Sequence, residues 1–330
     1  MLKLKLMKKI LISQYGDAAN IALVESDIPT PSSSEVLVRV VAAGVNFIDT
    51  YQRAGVPNYQ LALPFTPGLE GAGIVESVGD LVIDFKVGDR VAWAMSLGSY
   101  AEYVLVPAEK LVAVPDSVDL KIAAAAMLQG LTAHYLISDC FKILAKQSAL
   151  VHAGAGGTGN LLCQLLSEKG VNVIATTSSD EKAKIISNSG VNKIIRYDKE
   201  NISERVKELT NGEGVDVVYD GVGAATFQES LKSLKVRGTL VLFGAASGPV
   251  PAFDLQNLNS LGSLYVTRPT LAHYTRTREE LLYRANEVFE VISHKVLEIK
   301  IHKEYPLADA ALAHQDLESR KTSGKLLLIP

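Results

Sequence analysis

Six consecutive residues, Gly154-Ala155-Gly156-Gly157-Thr158-Gly159, fit the pattern G-x-G-x-x-G. Glycine clusters also occur in plain turns, so context decides. Here an apolar run, residues 149–153, precedes the cluster, and Leu161, Leu162, Leu165 and Leu166 follow at helical spacing. A strand, a glycine turn and a helix in that order cradle the pyrophosphate of a dinucleotide. The first glycine permits the tight turn, the second lets phosphate approach the backbone, and the third lets helix and strand pack closely. The helix end adds free N–H groups and a positive partial charge. An NAD site carries Asp or Glu about 20 residues on, for the ribose hydroxyls. No acidic residue occurs from Val171 through Ser179. The segment ends instead in Thr176-Thr177-Ser178-Ser179, with Lys182 beyond it and Tyr197 closing the next strand. Hydroxyls and a lysine donate hydrogen bonds and charge to a 2′-phosphate, which favours NADPH. The plainer alternative leaves Lys182 as a solvated helix residue.

The elements that must hold this turn alternate regularly. Strand-like runs at 149–153, 171–175, 193–197, 215–219, 239–243 and 264–266 are separated by helical patterns, one of them 181–188, closed by Gly190. Repeated βα units predict an α/β fold with a doubly wound parallel sheet of Rossmann type. Upstream, residues 36–41, 73–79, 86–92 and 100–106 read as short strands punctuated by turns, with little helix between them. That pattern predicts a compact β barrel or rolled sheet. An alanine-rich helix at 122–128 marks the change of character. After Tyr274 a helix over 278–293 leads to strand-like segments that rejoin the first domain. The expected organisation is a Rossmann domain, 129–270, inserted into a β-rich domain made of 1–128 and 271–330.

The 330 residues suggest about two domains at ~150 each. A composition of 48% hydrophobic and 21% charged residues, with net charge −3, is that of a globular chain and too apolar for a disordered one. No block of basic residues stands out, which argues against nucleic acid as a partner. No apolar run approaches the ~18 residues of a membrane span, so no membrane is expected. The first ten residues place lysines where a signal peptide needs an apolar centre, and no small-residue cleavage site follows. They read as a lead into a first strand, with Met7 an alternative start that would make the first six residues dispensable. Cys140 and Cys163 form no C-x-x-C, which excludes a zinc ribbon or a disulfide framework and implies a reducing, cytoplasmic setting. Neither a nucleophile elbow nor a Ser-His-Asp arrangement is legible, so hydrolase chemistry is not expected. His152, on the strand entering the glycine turn, reads as structural, and His273, His294, His302 and His314 lack metal-like spacing.

Three further segments narrow the reading. Residues 43–51 contain Asn46-Phe47-Ile48-Asp49-Thr50-Tyr51, an N-F-x-D-x-Y pattern; 67–75 contain Gly68-Leu69-Glu70-Gly71-Ala72-Gly73-Ile74-Val75; and 130–133 and 262–269 add Gly-Leu-Thr-Ala and a segment ending Val266-Thr267-Arg268-Pro269. In these segments, and nearly end to end down to Leu317-Glu318-Ser319-Arg320, the chain resembles the zinc-independent quinone oxidoreductase branch of the medium-chain dehydrogenases/reductases. That branch is related to zeta-crystallin, and its β-rich domain is GroES-like. In the zinc-bearing relatives the position of Asn46 is a cysteine ligand and that of Leu69 a histidine. Asparagine and leucine replace neither, and Glu70 alone cannot hold a catalytic metal, so the chain is expected to be zinc-free.

The resemblance implies NADPH-dependent reduction of quinones. A quinone is already electrophilic, so hydride transfer to it needs no Lewis acid, and the protein mainly positions the ring and excludes water. Cofactor contacts carried over in this way fall on Asn46, Thr132, His134, Thr177, Ser178, Gly221, Phe243, Gly244, Val266, Thr267, Arg268 and Arg320, beside Gly154, Gly156, Gly157, Thr158, Gly159, Lys182 and Tyr197. Asn46 and Tyr51 are the polar candidates near the nicotinamide, with substrate entering a cleft between domains. The alternative for Tyr51 is a packed tyrosine whose hydroxyl finds a backbone partner. A second enzymatic reading keeps NADPH and takes α,β-unsaturated aldehydes or ketones as substrate. A third class is a non-catalytic NADPH-binding protein, crystallin-like or RNA-binding. A homodimer is expected by analogy, formed where the apolar segment 264–267 offers an unpaired edge.

Overall fold

Polar and apolar residues alternate from Leu6 onward, and they form a hairpin. Strand β1 (Leu6–Ile12) pairs antiparallel with β2 (Ile21–Asp27), burying Met7, Ile10 and Ile12. The computed structural model describes residues 6–319 and 321–330. The chain falls into two compact units. One comprises the chain up to Leu131 together with Thr275–His294 and Ile299–Pro330; the other comprises Thr132–Tyr274 and Lys295–Glu298.

In the first unit, β3 (Glu35–Val45), β4 (Glu70–Val78), β5 (Arg90–Ala94), β6 (Tyr103–Pro107) and β7 (Leu111–Ala113) follow in turn. Between β3 and β4 lies helix α1 (Phe47–Ala54). This helix corrects the sequence reading, which placed little helix among these strands and read the Asn46–Tyr51 motif without assigning it an element. Asn46 sits at its N-cap with extended backbone, and the Asn46 amide donates to Asp49 Oδ2 at 2.8 Å. Gly55 ends it at φ 70°, where a side chain would collide with the Tyr15 ring.

Helix α2 (Leu120–Tyr135) continues through a wide turn over Leu136–Cys140. Together they make 21 residues, long and apolar enough by length and composition to span a bilayer, and two-thirds of their most apolar 18-residue window is buried inside the protein. The sequence reading saw no run of this length because Lys121, Gln129, His134 and Ser138 interrupt it. Burial explains the hydropathy. Ala123 to Met127, Leu131 and Ala133 are fully enclosed.

The second unit is a parallel sheet with helices between its strands: β8 (Ser148–Val151), α3 (Gly157–Glu168), β9 (Asn172–Thr177), α4 (Asp180–Asn188), β10 (Lys193–Arg196), α5 (Ile202–Leu209), β11 (Val215–Asp220), α6 (Phe227–Ser233), β12 (Leu234–Leu242), α7 (Gln256–Ser260), β13 (Tyr265–Thr267) and α8 (Leu271–Tyr274). The strand order is β10-β9-β8-β11-β12-β13, with every pair parallel. All six residues of β11 are buried, as a central strand covered on both faces requires. The chain reverses direction across the sheet between β8 and β11, the switch point at which such folds bind ligands. Lys295–Glu298 belongs to this unit through paired bonds of Gln164 with the Glu298 backbone, at 2.8 and 3.0 Å.

Helix α9 (Arg278–Ser293) starts with a capping box in which Thr277 and Glu280 satisfy each other's backbone amides. Strand β14 (Ile301–Pro306), helix α10 (Ala310–Glu318) and strand β15 (Lys325–Ile329) then complete the first unit. Its sheet runs β14-β15-β3-β4-β5-β7, with β6 also on β3 and β14–β15 the one parallel pair. Val38, Trp93, Tyr100, Leu111, Tyr305, Leu326 and Leu328 fill its core.

Candidate active site

The glycine turn opens the second unit's site. Ala153 takes the positive φ of 51°, while Gly154 does not, so Ala153 makes the left-handed step of the turn that the sequence reading gave to the first glycine. Gly154 is needed for packing instead. A Cβ there would lie 2.9 Å from the Ala175 Cβ and 3.0 Å from Ile186 Cδ1. At Gly159 a Cβ would stand 2.3 Å from the Ala153 carbonyl oxygen, so α3 could not pack this close to the turn. The first bond of α3 runs from the Asn160 amide to the Gly156 carbonyl at 2.9 Å. Ahead of it the amides of Gly157, Thr158 and Gly159 stand at the helix head as donors.

The other candidates of this unit gather at the same edge of the sheet, where its parallel strands end. Thr177 closes β9, Ser178 follows it, and Lys182 lies in the first turn of α4, whose cap is Ser179. Tyr197 follows β10, and its amide donates to the Thr177 carbonyl at 3.2 Å. Thr177 is buried, and its Oγ1 has no hydrogen-bond partner. Lys182 is half-buried, and partial loss of water pushes its pKa down. Gly221 follows β11 and packs under the Phe243 ring, where a Cβ would meet ring carbons at 2.8 Å. A Cβ on Gly244 would come within 2.4 Å of the Gly221 carbonyl oxygen. Val266 and Thr267 belong to β13, and Arg268 follows it. Thr132 and His134 sit elsewhere, on α2, with Ser138 Oγ bonded to the His134 carbonyl at 2.6 Å. Arg320 lies outside the described residues.

Beneath this edge runs a buried polar network the sequence reading did not find. Asp220 Oδ1 accepts the amides of Val222 and Gly223 at 2.8 and 3.0 Å, and Asp220 Oδ2 accepts from Ser230 Oγ at 2.7 Å. Ser230 Oγ meets His152 Nε2 at 3.0 Å, and His152 Nδ1 meets Thr176 Oγ1 at 3.2 Å. Burial lowers the His152 pKa. This histidine ties the glycine turn to β9 and β11.

In the first unit Asn46 is buried and Tyr51 is half-buried on α1, its ring centroid 6.3 Å from that of Phe47 and 5.2 Å from that of Tyr59. Tyr59 was not singled out from sequence, and its aromatic type eight residues after Tyr51 was the available signal. Asn46 contacts Glu70 and Lys325. Below it Asp49 Oδ2 accepts from Tyr100 OH at 3.1 Å, Tyr100 meets His314 Nε2 at 3.1 Å, and Arg53 Nη1 reaches His314 Nδ1 at 3.2 Å. Arg53 also pairs with Glu318 at 2.8 Å. Arginine only donates, so His314 Nδ1 accepts and Nε2 carries the proton. Burial pushes Asp49 up to about 7 and His314 down to about 3. Among the described residues no group of three or more His, Cys, Asp or Glu is placed to hold a metal ion. The carboxylate of Glu70 is instead taken by the Lys325 ammonium.

Family models agree with this architecture. Residues 32–116 match "Alcohol dehydrogenase GroES-like domain", and 157–287 match "Zinc-binding dehydrogenase". The chain is 44% identical to a quinone oxidoreductase of Pseudomonas aeruginosa, over 98% of this chain and 99% of that one. It is 39% identical to a 2-haloacrylate reductase of a Burkholderia species, over 97% and 98%. Among solved structures, Escherichia coli quinone oxidoreductase complexed with NADPH superposes with a TM-score of 0.95 at 41% identity, over 98% of this chain and all of that one. A GroES-like unit interrupted by a Rossmann unit defines a medium-chain dehydrogenase/reductase. Within that superfamily the chain belongs to the quinone oxidoreductase family.

Proposed function

We propose that this chain is an NADPH-dependent oxidoreductase that reduces quinones by hydride transfer without a metal ion. The end of β9 carries the cofactor assignment. The chain from β9 to Ser179 carries no carboxylate, Asp180 and Asp198 beside it are paired with Arg196, and the strand end combines an orphaned buried hydroxyl on Thr177 with the partly desolvated ammonium of Lys182. A phosphate oxygen there would accept from the Thr177 hydroxyl and meet the positive charge of Lys182, and the glycine-rich head of α3 suits a pyrophosphate, so the residues present fit NADPH.

When bound, NADPH supplies a hydride, and the reduced quinone takes up a proton from water. The protein's own share is placement. Amides of Gly157, Thr158 and Gly159 hold the pyrophosphate, while Thr177, Ser178, Lys182 and Tyr197 hold the 2′-phosphate. Gly221, Phe243 and Gly244 support the cofactor along the strand ends, with Val266, Thr267 and Arg268 after β13; Thr132, His134 and Arg320 complete the assignment. Asn46 fixes the reducing end. Tyr51 hydrogen-bonds the substrate oxygen as negative charge develops, and its phenol exchanges its proton with solvent. A hydroquinone oxygen is weakly basic, so the help it requires is modest.

The likeness to a 2-haloacrylate reductase favours a second reading, reduction of an activated carbon–carbon double bond with the same cofactor. Turnover of NADPH with a quinone panel and an enone panel decides between them. Quinone reduction well above enone reduction is expected. Turnover of enones alone would favour the second reading, and binding of NADPH without any turnover would favour a non-catalytic protein. Two copies are proposed to pair along β13, the edge strand, where Tyr265 and Val266 are exposed beside Val236 and Leu261. Neither cysteine forms a disulfide, which suits the proposed cytoplasmic setting.

A further inference from the structure

Three side chains of the first unit, Asn46, Glu70 and Lys325, are buried against one another, none more than 4% exposed. Asn46 Oδ1 accepts from Lys325 Nζ at 2.7 Å, and Asn46 Nδ2 donates to Glu70 Oε2 at 2.7 Å. An ion pair between Lys325 and Glu70 closes the triangle. Glu70 Oε1 accepts the Leu128 amide of α2 at 2.7 Å. The cap of α1, the first residue of β4, the first residue of β15 and the middle of α2 thus meet at one carboxylate.

Chemistry permits the Asn46 amide a single orientation here. An ammonium only donates and a carboxylate only accepts, so the amide oxygen must face Lys325 and the amide nitrogen must face Glu70. Reversed, N–H groups would oppose the ammonium and a carbonyl oxygen would oppose the carboxylate, at a buried position where both mismatches are costly. Gly44 provides the room. A Cβ on it would lie 2.2 Å from Glu70 Oε2 and 2.7 Å from Lys325 Cε, so the main chain of β3 yields space to this pair. Stability alone is a weak reason for a buried ion pair, because apolar replacements of similar volume often serve as well.

We propose that Lys325 is a positioning residue for hydride transfer: its ammonium, held by Glu70, locks the Asn46 side chain in the orientation the reaction uses. This rests on the assignment of Asn46 to the cofactor. Lys325→Met alone leaves a buried unpaired carboxylate and destabilises the fold, so the decisive variant is Lys325→Met with Glu70→Gln, which removes both charges and lets the amide rotate. NADPH affinity, kcat and the isotope effect with NADPH deuterated at the transferred hydrogen are measured on it and on the parent. The expected result is an unfolding transition and NADPH dissociation constant near the parent's, with kcat lower by roughly 10- to 100-fold and a larger isotope effect, as hydride transfer becomes the slow step. A parental kcat and isotope effect would overturn the proposal, as would failure of the double variant to fold or a lower kcat with an unchanged isotope effect. If the parent itself turns over no quinone, the functional reading fails instead.

Discussion

Asp49 and His314 are buried in one hydrogen-bonded chain, joined through Tyr100, and their titrations oppose each other. Burial raises Asp49 from 3.8 to about 7 and lowers His314 from 6.5 to about 3. Between pH 4.5 and 6.5, roughly, folding therefore adds a proton at Asp49 and removes one at His314. A raised carboxyl contributes stability that is full at low pH and lost as pH rises through its folded pKa. A depressed imidazole contributes stability that is full at high pH and lost as pH falls towards its folded pKa. Each slope is about 1.4 kcal/mol per pH unit, and with opposite signs they cancel. Over its whole window each group would alone shift stability by on the order of 4–5 kcal/mol. Asp49→Asn should unmask the histidine, so stability rises with pH; His314→Gln should unmask the carboxyl, so it falls. Trp93, the single tryptophan, lies in the core of the same unit and reports its unfolding by fluorescence in denaturant. The lowered carboxyls Asp198, Asp216 and Glu229 belong to the other unit and titrate below this window. A parent protein with the same steep rise as Asp49→Asn would show that Asp49 is ionised when folded, and the reasoning would fail.

Lys182→Ala should weaken NADPH by roughly 10- to 150-fold, the worth of a charge-assisted contact, and leave NADH nearly untouched; titration calorimetry with both cofactors would show equal losses if the lysine does not meet the 2′-phosphate. Tyr51→Phe should reduce quinone turnover by no more than about a hundredfold at constant NADPH affinity, with a larger loss on enones, whose enolates are more basic. Silence on both substrate classes would make Tyr51 a packing residue beside Phe47 and Tyr59. Val266→Lys, on the edge strand, should convert a dimer to a monomer by light scattering at micromolar concentration. A parent that already scatters as a monomer would refute that pairing.

What the sequence made legible was what short-range chemistry encodes. The turn at Gly154–Gly159 could be read because glycine spacing, preceding strand and following helix lie within twenty residues or so. The helix Arg278–Ser293 follows from its 3.6-residue apolar period, and Thr277 and Glu280 mark its start. Helix α1 was hidden. Its eight residues include Phe, Ile, Thr and Tyr, poor helix formers, and it is held by the Asp49 cap and the left-handed Gly55. The Lys325 contact was illegible for another reason, because 255 residues separate it from Glu70 and only strand register brings them together. A lysine leading the apolar strand Leu326-Leu327-Leu328 was the available clue. Metal-like spacing, which His314 lacks, says nothing about a neutral imidazole bonded between Tyr100 and Arg53.

The strand that carries Lys325 also sets an order of assembly. During synthesis Asn46 and Glu70 emerge early, and the second unit, all but four of whose residues are contiguous in sequence, can form while they wait. Until β15 arrives between β14 and β3, the Glu70 carboxylate has no counter-charge, and the end of β3 over Ala43, Gly44 and Val45 lacks its partner on that edge. Burial of that carboxylate is unfavourable without the ammonium, so closure of the first sheet must await residue 325. A chain stopped short of it would hold a formed nucleotide unit attached to an open, edge-exposed sheet, the kind of species that pairs with its neighbours rather than with itself.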